Sequence, residues 1–180
     1  MSLKSGLNTL GGYIHIGTRL DIKHFVPDEK GKHLRPLEDG SMGQFTEVKK
    51  DRRVEINRVV TDAFVNYVVD NLQAELAAFG DFKFHEMGLG VVAEAAGDTA
   101  LGTTTGIARA TGTQIEGATA NIYKSVGTIT ADTTEAITEH GLFNIATAGT
   151  MMDRTVFAAI NVVSGNQIEF TFQITFSSGG

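Results

Sequence analysis

The chain has 180 residues, of which 42% are hydrophobic and 20% are charged. This composition predicts one folded domain with extensions and excludes wholesale disorder. The chain contains no cysteine, which excludes disulfides, thiolate metal sites and a cysteine nucleophile.

Charge is distributed unevenly along the chain. Residues 1–58 hold eleven Lys/Arg against eight Asp/Glu, and residues 59–180 hold four against thirteen, so +3 and −9 give the net charge of −6. This acidic body argues against a nucleic-acid partner, which would require a dense basic face. No apolar run approaches the roughly 20 residues of a membrane helix, so we expect no membrane partner. The start of the chain also lacks the apolar core of a signal peptide.

Residues 1–55 differ from the rest of the chain. They contain both prolines, Pro27 and Pro36, together with many charges and little apolar sequence. The stretch 27–43 has the composition of a loop. We therefore predict that residues 1–55 form an extended N-terminal arm, which is either disordered or laid over another surface such as a neighbouring subunit.

The clearest helical pattern follows this arm. Apolar residues recur at spacings of three and four, which makes one apolar stripe; they are Ile56, Val60, Ala63, Phe64, Tyr67, Val68, Leu72 and Leu76. Thr61 is a suitable N-cap, and Gly80 is suited to end the helix. The sequence thus predicts an amphipathic helix over about residues 61–79, leading a domain that spans residues 56–180.

The remainder of the chain has the pattern of short strands separated by turns. Residues 88–106, rich in Gly, Ala and Thr, predict a long loop. The other segments predict strands at residues 81–87, 107–115, 120–130, 136–143 and 155–163. This arrangement is typical of an antiparallel β-sandwich, with the jelly roll as one candidate topology.

The final strand carries the strongest pattern in the chain. Apolar and polar residues alternate strictly over residues 167–176, which predicts a strand with one buried and one solvated face. Phe170 and Phe172 are therefore predicted core residues. Residues 164–166, Ser-Gly-Asn, predict a hairpin turn between this strand and the preceding one.

Motifs that would indicate catalysis or cofactor binding are weak. Gly88, Gly90 and Ala93 imitate a dinucleotide fingerprint, but no helix of useful length can follow them. The five histidines lack metal-ligand spacing. In the pairs 85–86 and 139–140 a histidine adjoins a glutamate, and neighbours on a strand point to opposite faces, so neither pair forms an acid–base dyad. We assign no catalytic residue, cofactor or metal ligand and expect no enzyme activity.

A small basic cluster is the first candidate for binding a partner. It consists of Lys49, Lys50, Arg52 and Arg53. We predict that this cluster can meet an acidic surface on a neighbouring protein. The alternative is a solvated surface without a partner, which is what most clusters of this kind are.

Arg154 is the second candidate. It can pair with Asp153 at a turn, or reach a carboxylate on a neighbouring subunit. The favoured alternative is a solvated turn with Met152 in the core.

Three segments in the second half of the chain carry a resemblance. They read Ala-Ile-Thr-Glu-His-Gly-Leu-Phe at 136–143, Gly-Thr-Met-Met-Asp-Arg-Thr-Val-Phe at 149–157 and Val-Ser-Gly-Asn-Gln-Ile-Glu-Phe-Thr at 163–171. As a set they resemble structural proteins encoded in tailed-bacteriophage genomes. The resemblance runs from about residue 59 to the end and implies a virion component, assembled in the host bacterial cytoplasm.

These observations favour a non-enzymatic capsid decoration or cement protein that reinforces the head shell. Its expected partners are the major capsid protein or other virion proteins, and further copies of itself in a homo-oligomer. A head–tail connector or tail component is the first alternative. A carbohydrate-binding or receptor-binding module is the second, although the chain has no Trp and three Tyr.

Overall fold

The computed structural model describes residues 14–73 and 81–178. Within these ranges the chain is mainly β, with antiparallel strand pairs and one α-helix, as predicted. The elements are β1 (Ile14–Pro27), β2 (His33–Pro36), β3 (Met42–Glu47), β4 (Arg53–Ile56), β5 (Val59–Val60), α1 (Asp62–Leu72), β6 (Phe84–Gly88), β7 (Ala110–Thr111), β8 (Thr113–Glu116), β9 (Ile122–Thr130), β10 (Glu135–Phe143), β11 (Met151–Val162) and β12 (Gln167–Ser178).

The strands form two sheets that share one core. The seven-stranded sheet has the order β2-β3-β1-β12-β9-β8, and β4 also pairs with β1; the five-stranded sheet has the order β5-β11-β10-β6-β7. Apolar side chains from both sheets meet in one cluster; they include Ile22, Ile129, Ile137, Leu142, Ile160 and Phe172. This sandwich-like arrangement matches the predicted fold class.

The alternating final strand lies where its pattern predicted. Phe170 and Phe172 are fully buried, and Ile168 and Ile174 are 1% exposed. The polar side chains of β12 lie on the opposite face, where Glu169 forms ion pairs with Lys23 and Arg35. The prediction that this strand buries one face is confirmed.

The predicted arm is wrong for residues 14–55. β1 pairs with β12 along most of its length, and Leu20 and Ile22 belong to the core. The stretch 27–43, predicted to be a loop, contributes β2 and most of the β2–β3 hairpin. Alternating charged residues on the solvated face of β1 concealed the apolar alternation that makes it a strand. Residues 1–13 lie outside the described residues.

The observed helix begins where it was predicted to begin and ends earlier than predicted. Thr61 is its N-cap and its side chain accepts a hydrogen bond from the backbone N–H of Phe64, as expected. The helix ends at Leu72. The predicted continuation to residue 79 and the end at Gly80 fall outside the described residues.

The predicted hairpin at residues 164–166 is wrong, because β11 and β12 belong to different sheets. Gly165 has a φ of +85°, so the turn does need a glycine. The turn carries the chain from one sheet to the other. Both flanking strands are strongly apolar, and that pattern alone does not distinguish a hairpin from a crossing between sheets.

Candidate functional site

The predicted basic cluster lies on the surface beside the edge of the seven-stranded sheet. Lys49 and Lys50 open a short 3-10 turn, and Arg53 begins β4, which pairs with β1. Lys49, Lys50 and Arg52 are exposed and Arg53 is half-buried. The fold therefore brings the four predicted residues together on one accessible segment, called here the basic segment (residues 49–53).

Two cations of the basic segment lack an acidic partner in the described part of the chain. The side chain of Lys50 has no hydrogen bond or ion pair there, and Arg53 donates only to the backbone carbonyls of Lys50 and Arg52. Lys49 pairs with Glu47, and Arg52 lies 3.4 Å from the carboxylate of Asp21. Positive charge therefore remains available to a partner.

The β2–β3 hairpin lies against the solvated face of the same sheet, and Arg35 holds it there. The guanidinium of Arg35 donates to Gln167 Oε1 at 2.7 Å, to Glu169 Oε2 at 3.0 Å and to Thr128 Oγ1 at 2.7 Å. It also lies 3.9 Å above the ring of Phe25. These contacts fix the hairpin on three neighbouring strands.

The outer side of this hairpin is apolar. Leu34 is 66% exposed and Met42 is 56% exposed, and Leu37 at the turn is also exposed. An exposed leucine alone is ordinary, but Leu34 and Met42 lie on the same outer face of the anchored hairpin and form a small apolar patch, while Leu37 lies on the other face, against Gly43. Together with the basic segment, this hairpin is the described surface best suited to bind another protein.

Arg154, the other predicted interaction residue, is unavailable to a partner. It is 3% exposed and forms ion pairs with Glu139 at 2.7 Å and Asp98 at 2.8 Å within the same chain. The solvated turn favoured from sequence is also wrong, because Asp153 and Arg154 are buried in β11. Met152 is in the core, as that alternative expected.

Glu139 and Arg154 fasten the long loop of residues 89–106 over the five-stranded sheet. Glu139 Oε1 accepts from the N–H groups of Gly90 at 2.7 Å and Thr103 at 2.8 Å, and Oε2 accepts from Gly102 at 3.0 Å. Burial raises the pKa of Glu139, but these hydrogen bonds and Arg154 outweigh it, so the net pKa is lowered. The carboxylate stays charged and holds both ends of the loop.

The glycines of the apparent dinucleotide fingerprint serve this contact. A Cβ on Gly90 would lie 2.4 Å from Glu139 Oε1, and one on Gly88 would lie 2.5 Å from the carbonyl oxygen of Thr103. Only glycine lets the loop approach the carboxylate this closely. No helix follows these residues, so they offer no helix N-terminus to a phosphate.

A second polar cluster lies on the core side of the same sheet. His85 Nδ1 is 3.0 Å from His140 Nε2, and His85 Nε2 is 2.8 Å from Ser125 Oγ. His140 Nδ1 has no partner and its ring stacks on Phe170. A proton on that nitrogen would be a buried unsatisfied donor, so the favoured tautomer has His140 donating to His85, which donates to Ser125.

This row of serine and histidines resembles a nucleophile with its base, but it is sealed. Ser125, His85 and His140 are each 0% exposed. Burial lowers the pKa of His85 to about 3. Burial, with a smaller contribution from the neighbouring His85, lowers the pKa of His140 well below its ordinary value. No substrate can reach the hydroxyl in this arrangement. The two histidines and the serine therefore serve as hydrogen-bonding groups of the core.

Asp153, on β11, is a further buried polar group. It is fully buried, its Oδ1 accepts from Thr155, and its Oδ2 has no partner. Burial raises its pKa to about 7. Nearby, Arg58 forms ion pairs with Glu55 at 2.9 Å and Glu94 at 3.1 Å, so a cation of the chain already neutralises these carboxylates.

The described residues contain neither a metal-binding cluster nor a membrane-spanning helix. Across 14–73 and 81–178 no group of three or more His, Asp or Glu side chains is arranged to hold a metal ion. In the same ranges no helix is both long and apolar enough to cross a membrane.

Sequence reasoning missed the cross-strand partners. It found the adjacent pairs 85–86 and 139–140, but the structure joins His85 to His140 and Glu139 to Arg154. One signal was present: a charged residue inside an otherwise apolar strand, as in β10 and β11, requires a buried partner. The anchoring role of Arg35 left no such signal.

Comparison with known proteins adds no relative. No family model, no curated protein and no solved structure matches the chain.

Proposed function

We propose that this chain is a structural protein of a tailed-bacteriophage virion that binds the capsid shell and reinforces it, as a decoration or cement protein. On this proposal its partners are the major capsid protein or other virion proteins, and its place is the virion, assembled in the host bacterial cytoplasm. It acts through binding energy and without turnover.

One observation carries this proposal: the polar clusters are buried and bonded within the chain, whereas the apolar side chains of the hairpin are exposed to solvent. Glu139, Arg154, His85 and Ser125 are buried and bonded to one another or to the backbone. The β2–β3 hairpin instead presents apolar side chains to solvent from an anchored position. A surface of this kind suits persistent contact with another protein.

The sequence resemblance supplies the identity of the proposed partner. Residues 136–143 and 149–157, which carry most of it, form β10 and β11 with their connecting turn. They supply two neighbouring strands of the five-stranded sheet and the side chains of Glu139 and Arg154, which hold the long loop. Their proposed role is to maintain the sandwich that presents the hairpin.

The alternatives have less support from the described surface. No Phe or Tyr ring is exposed in residues 16–73 and 81–177, and a carbohydrate-binding module would need such a ring for stacking on a sugar. A head–tail connector or tail component uses the same kind of binding surface. It differs from a decoration protein in copy number.

Quantitative mass spectrometry of purified virions tests the proposal. A decoration protein is expected at a copy number comparable to that of the shell protein. A copy number that fits a single vertex would instead identify a connector or tail component. Absence from the particle would overturn both virion roles.

A variant of the hairpin tests its proposed part in attachment. Met42→Asp places a charge on the exposed apolar patch, and virions carrying it should lose the protein and open at a lower temperature, because a ligand bound only to the intact shell stabilises it by mass action. Val91→Asp, at an exposed valine of the long loop over the other sheet, is the matched control. If both variants remain bound like the unchanged chain, the hairpin is not the attachment surface.

A further inference from the structure

The outer face of α1 is apolar although the helix already buries its other face. Phe64, Tyr67 and Val68 pack against the core. On the other side Val65 is 46% exposed, Val69 is 44% exposed and Leu72 is 82% exposed. The spacing of four and three places them in one stripe. We call this stripe the outer helix face.

Valine is unfavourable for helix stability at an exposed position. Its branched side chain loses rotamer freedom in a helix, so its helix propensity is lower than that of Ala, Leu or Glu. Two valines that are only about half buried therefore weaken α1 in the isolated chain, and a surface that covered them fully would offset this. This pattern indicates a face that another surface covers.

The charge around the outer helix face is negative. Asp62 lies on the same stripe, three residues before Val65, and Asp70 lies at its margin; α1 contains no Lys or Arg. In the described part of the chain neither carboxylate has a hydrogen bond or an ion pair. A surface that covers α1 must therefore supply apolar contact and positive charge together.

β4 and the basic segment have the complementary composition. Val54 is 40% exposed and Ile56 is 58% exposed, and they alternate with residues that point to the other face of the sheet. Arg52, directly before β4, lies on this same face, 3.4 Å from the carboxylate of Asp21, whereas Arg53 points to the opposite face. The nearby cation of Lys50 has no acidic partner in the described part of the chain. Apolar contact and positive charge thus occur side by side on β4.

We propose that α1 docks on β4 and the basic segment of a second copy of this chain. Both surfaces lie where the chain leaves the seven-stranded sheet for the five-stranded one, at β4 and β5. A two-fold axis would let each copy place its helix on the strand of the other, so that every contact is made twice. The inference deepens the proposed function and rests on it for its purpose, because a shell-binding protein gains avidity from paired copies.

Sedimentation equilibrium of the full purified chain tests this pairing. Wild-type protein is expected to form dimers with increasing concentration, and added salt should weaken them because it screens the charges between the two surfaces. Val69→Asp and Ile56→Asp should each weaken association about tenfold or more, because each places a charge in an apolar contact. Val163→Asp is the control and should dimerise like the wild type.

Mixing the two variants provides the sharper result. A copy with Val69→Asp retains β4, and a copy with Ile56→Asp retains the helix, so an equal mixture should regain one intact contact and form mixed dimers. Circular dichroism checks that each variant is folded. A monomeric wild type, an effect of Val69→Asp without one of Ile56→Asp, or a mixture that stays monomeric would each overturn the proposed pairing.

The two proposals fail separately. Dimers in solution with no protein in purified virions would overturn the virion role and leave the interface standing. Protein present in virions but monomeric in solution at every concentration would overturn the interface and leave the virion role standing.

Discussion

The two faces of β10 solve the burial of polar groups in opposite ways. On the face under the long loop, Glu139 and Arg154 stay charged, and the carboxylate accepts three backbone hydrogen bonds as well as the guanidinium. On the core face, His85 and His140 stay neutral and share hydrogen bonds with Ser125, while one nitrogen remains unpaired. Neighbouring residues of one strand thus occupy a charged and a neutral environment.

The difference shows what decides whether a buried group keeps its charge. Glu139 has enough donors around it to replace water, so its pKa is lowered despite burial. The histidines have one another and a hydroxyl, with no carboxylate in the pair, so burial lowers the pKa of His85 to about 3. The number of hydrogen bonds to the charged form determines the outcome more than depth of burial does.

Removing the cation from the charged face should have the largest effect. Arg154→Ala leaves the carboxylate of Glu139 buried without its partner, and breaking such a pair costs about 3–5 kcal/mol. Urea unfolding monitored by circular dichroism measures the loss. In the wild type the carboxylate of Glu139 accepts hydrogen bonds from the N–H groups of Gly90 and Thr103. Because the variant loosens this contact, hydrogen exchange at these two N–H groups should be faster. A loss below about 1 kcal/mol would contradict this prediction, because it is the range expected of an exposed ion pair.

Removing the hydroxyl from the neutral face should cost less. Ser125→Ala leaves the Nε2–H of His85 without an acceptor, and an unsatisfied buried donor costs about 1–3 kcal/mol. Ser41→Ala, which removes an exposed hydroxyl bonded to Asp39, is the control and should change stability little. Equal unfolding midpoints for the two variants would show that the assigned tautomer chain does not stabilise the fold.

The neutral face should also set the dependence of stability on pH. Below about pH 6.5 the unfolded chain protonates both histidines and the folded chain does not, so stability falls as pH falls. The buried Asp153 opposes this effect, because its folded pKa of about 7 holds a proton that the unfolded chain has released. Between about pH 5 and 6 the difference is roughly one proton, or about 1.4 kcal/mol per pH unit.

Asp153→Asn separates these opposing contributions. It removes the opposing proton, so the slope of unfolding free energy against pH should rise to about twice the wild-type value. Denaturant unfolding at several pH values measures both slopes. An identical slope in the wild type and the Asp153 variant would contradict the raised pKa of this carboxyl.

An exposed ion pair should give the smallest effect. Asp81 is 59% exposed and lies 2.8 Å from Lys83. Asp81→Asn should change the free energy of unfolding by about 0–1 kcal/mol, the usual range for a surface pair. Comparison of this variant with Arg154→Ala sets an exposed ion pair against a buried one at similar distances. A loss as large as that of the buried pair would contradict the importance given to burial.

Several elements were predictable because their signals are local. The alternation of β12 fixes which side chains are buried, and Thr61 fixes the start of α1 through its own hydrogen bond. The exposed position of Lys49, Lys50 and Arg52 also follows from their chemistry, since isolated cations avoid the interior. In each case the residue and its immediate neighbours are sufficient.

Other features depend on residues that are far apart in the chain, and only the tertiary structure decided them. β1 becomes an interior strand because β12, about 150 residues later, pairs with it. Arg154 turns inward because Glu139 and the glycines of the loop form a pocket for it. Residues 164–166 join two sheets because both flanking strands bury their apolar faces in the same core. The sequence determined the faces of the strands, and long-range pairing determined which surfaces those faces meet, because the alternation of a strand is local whereas its partner is not.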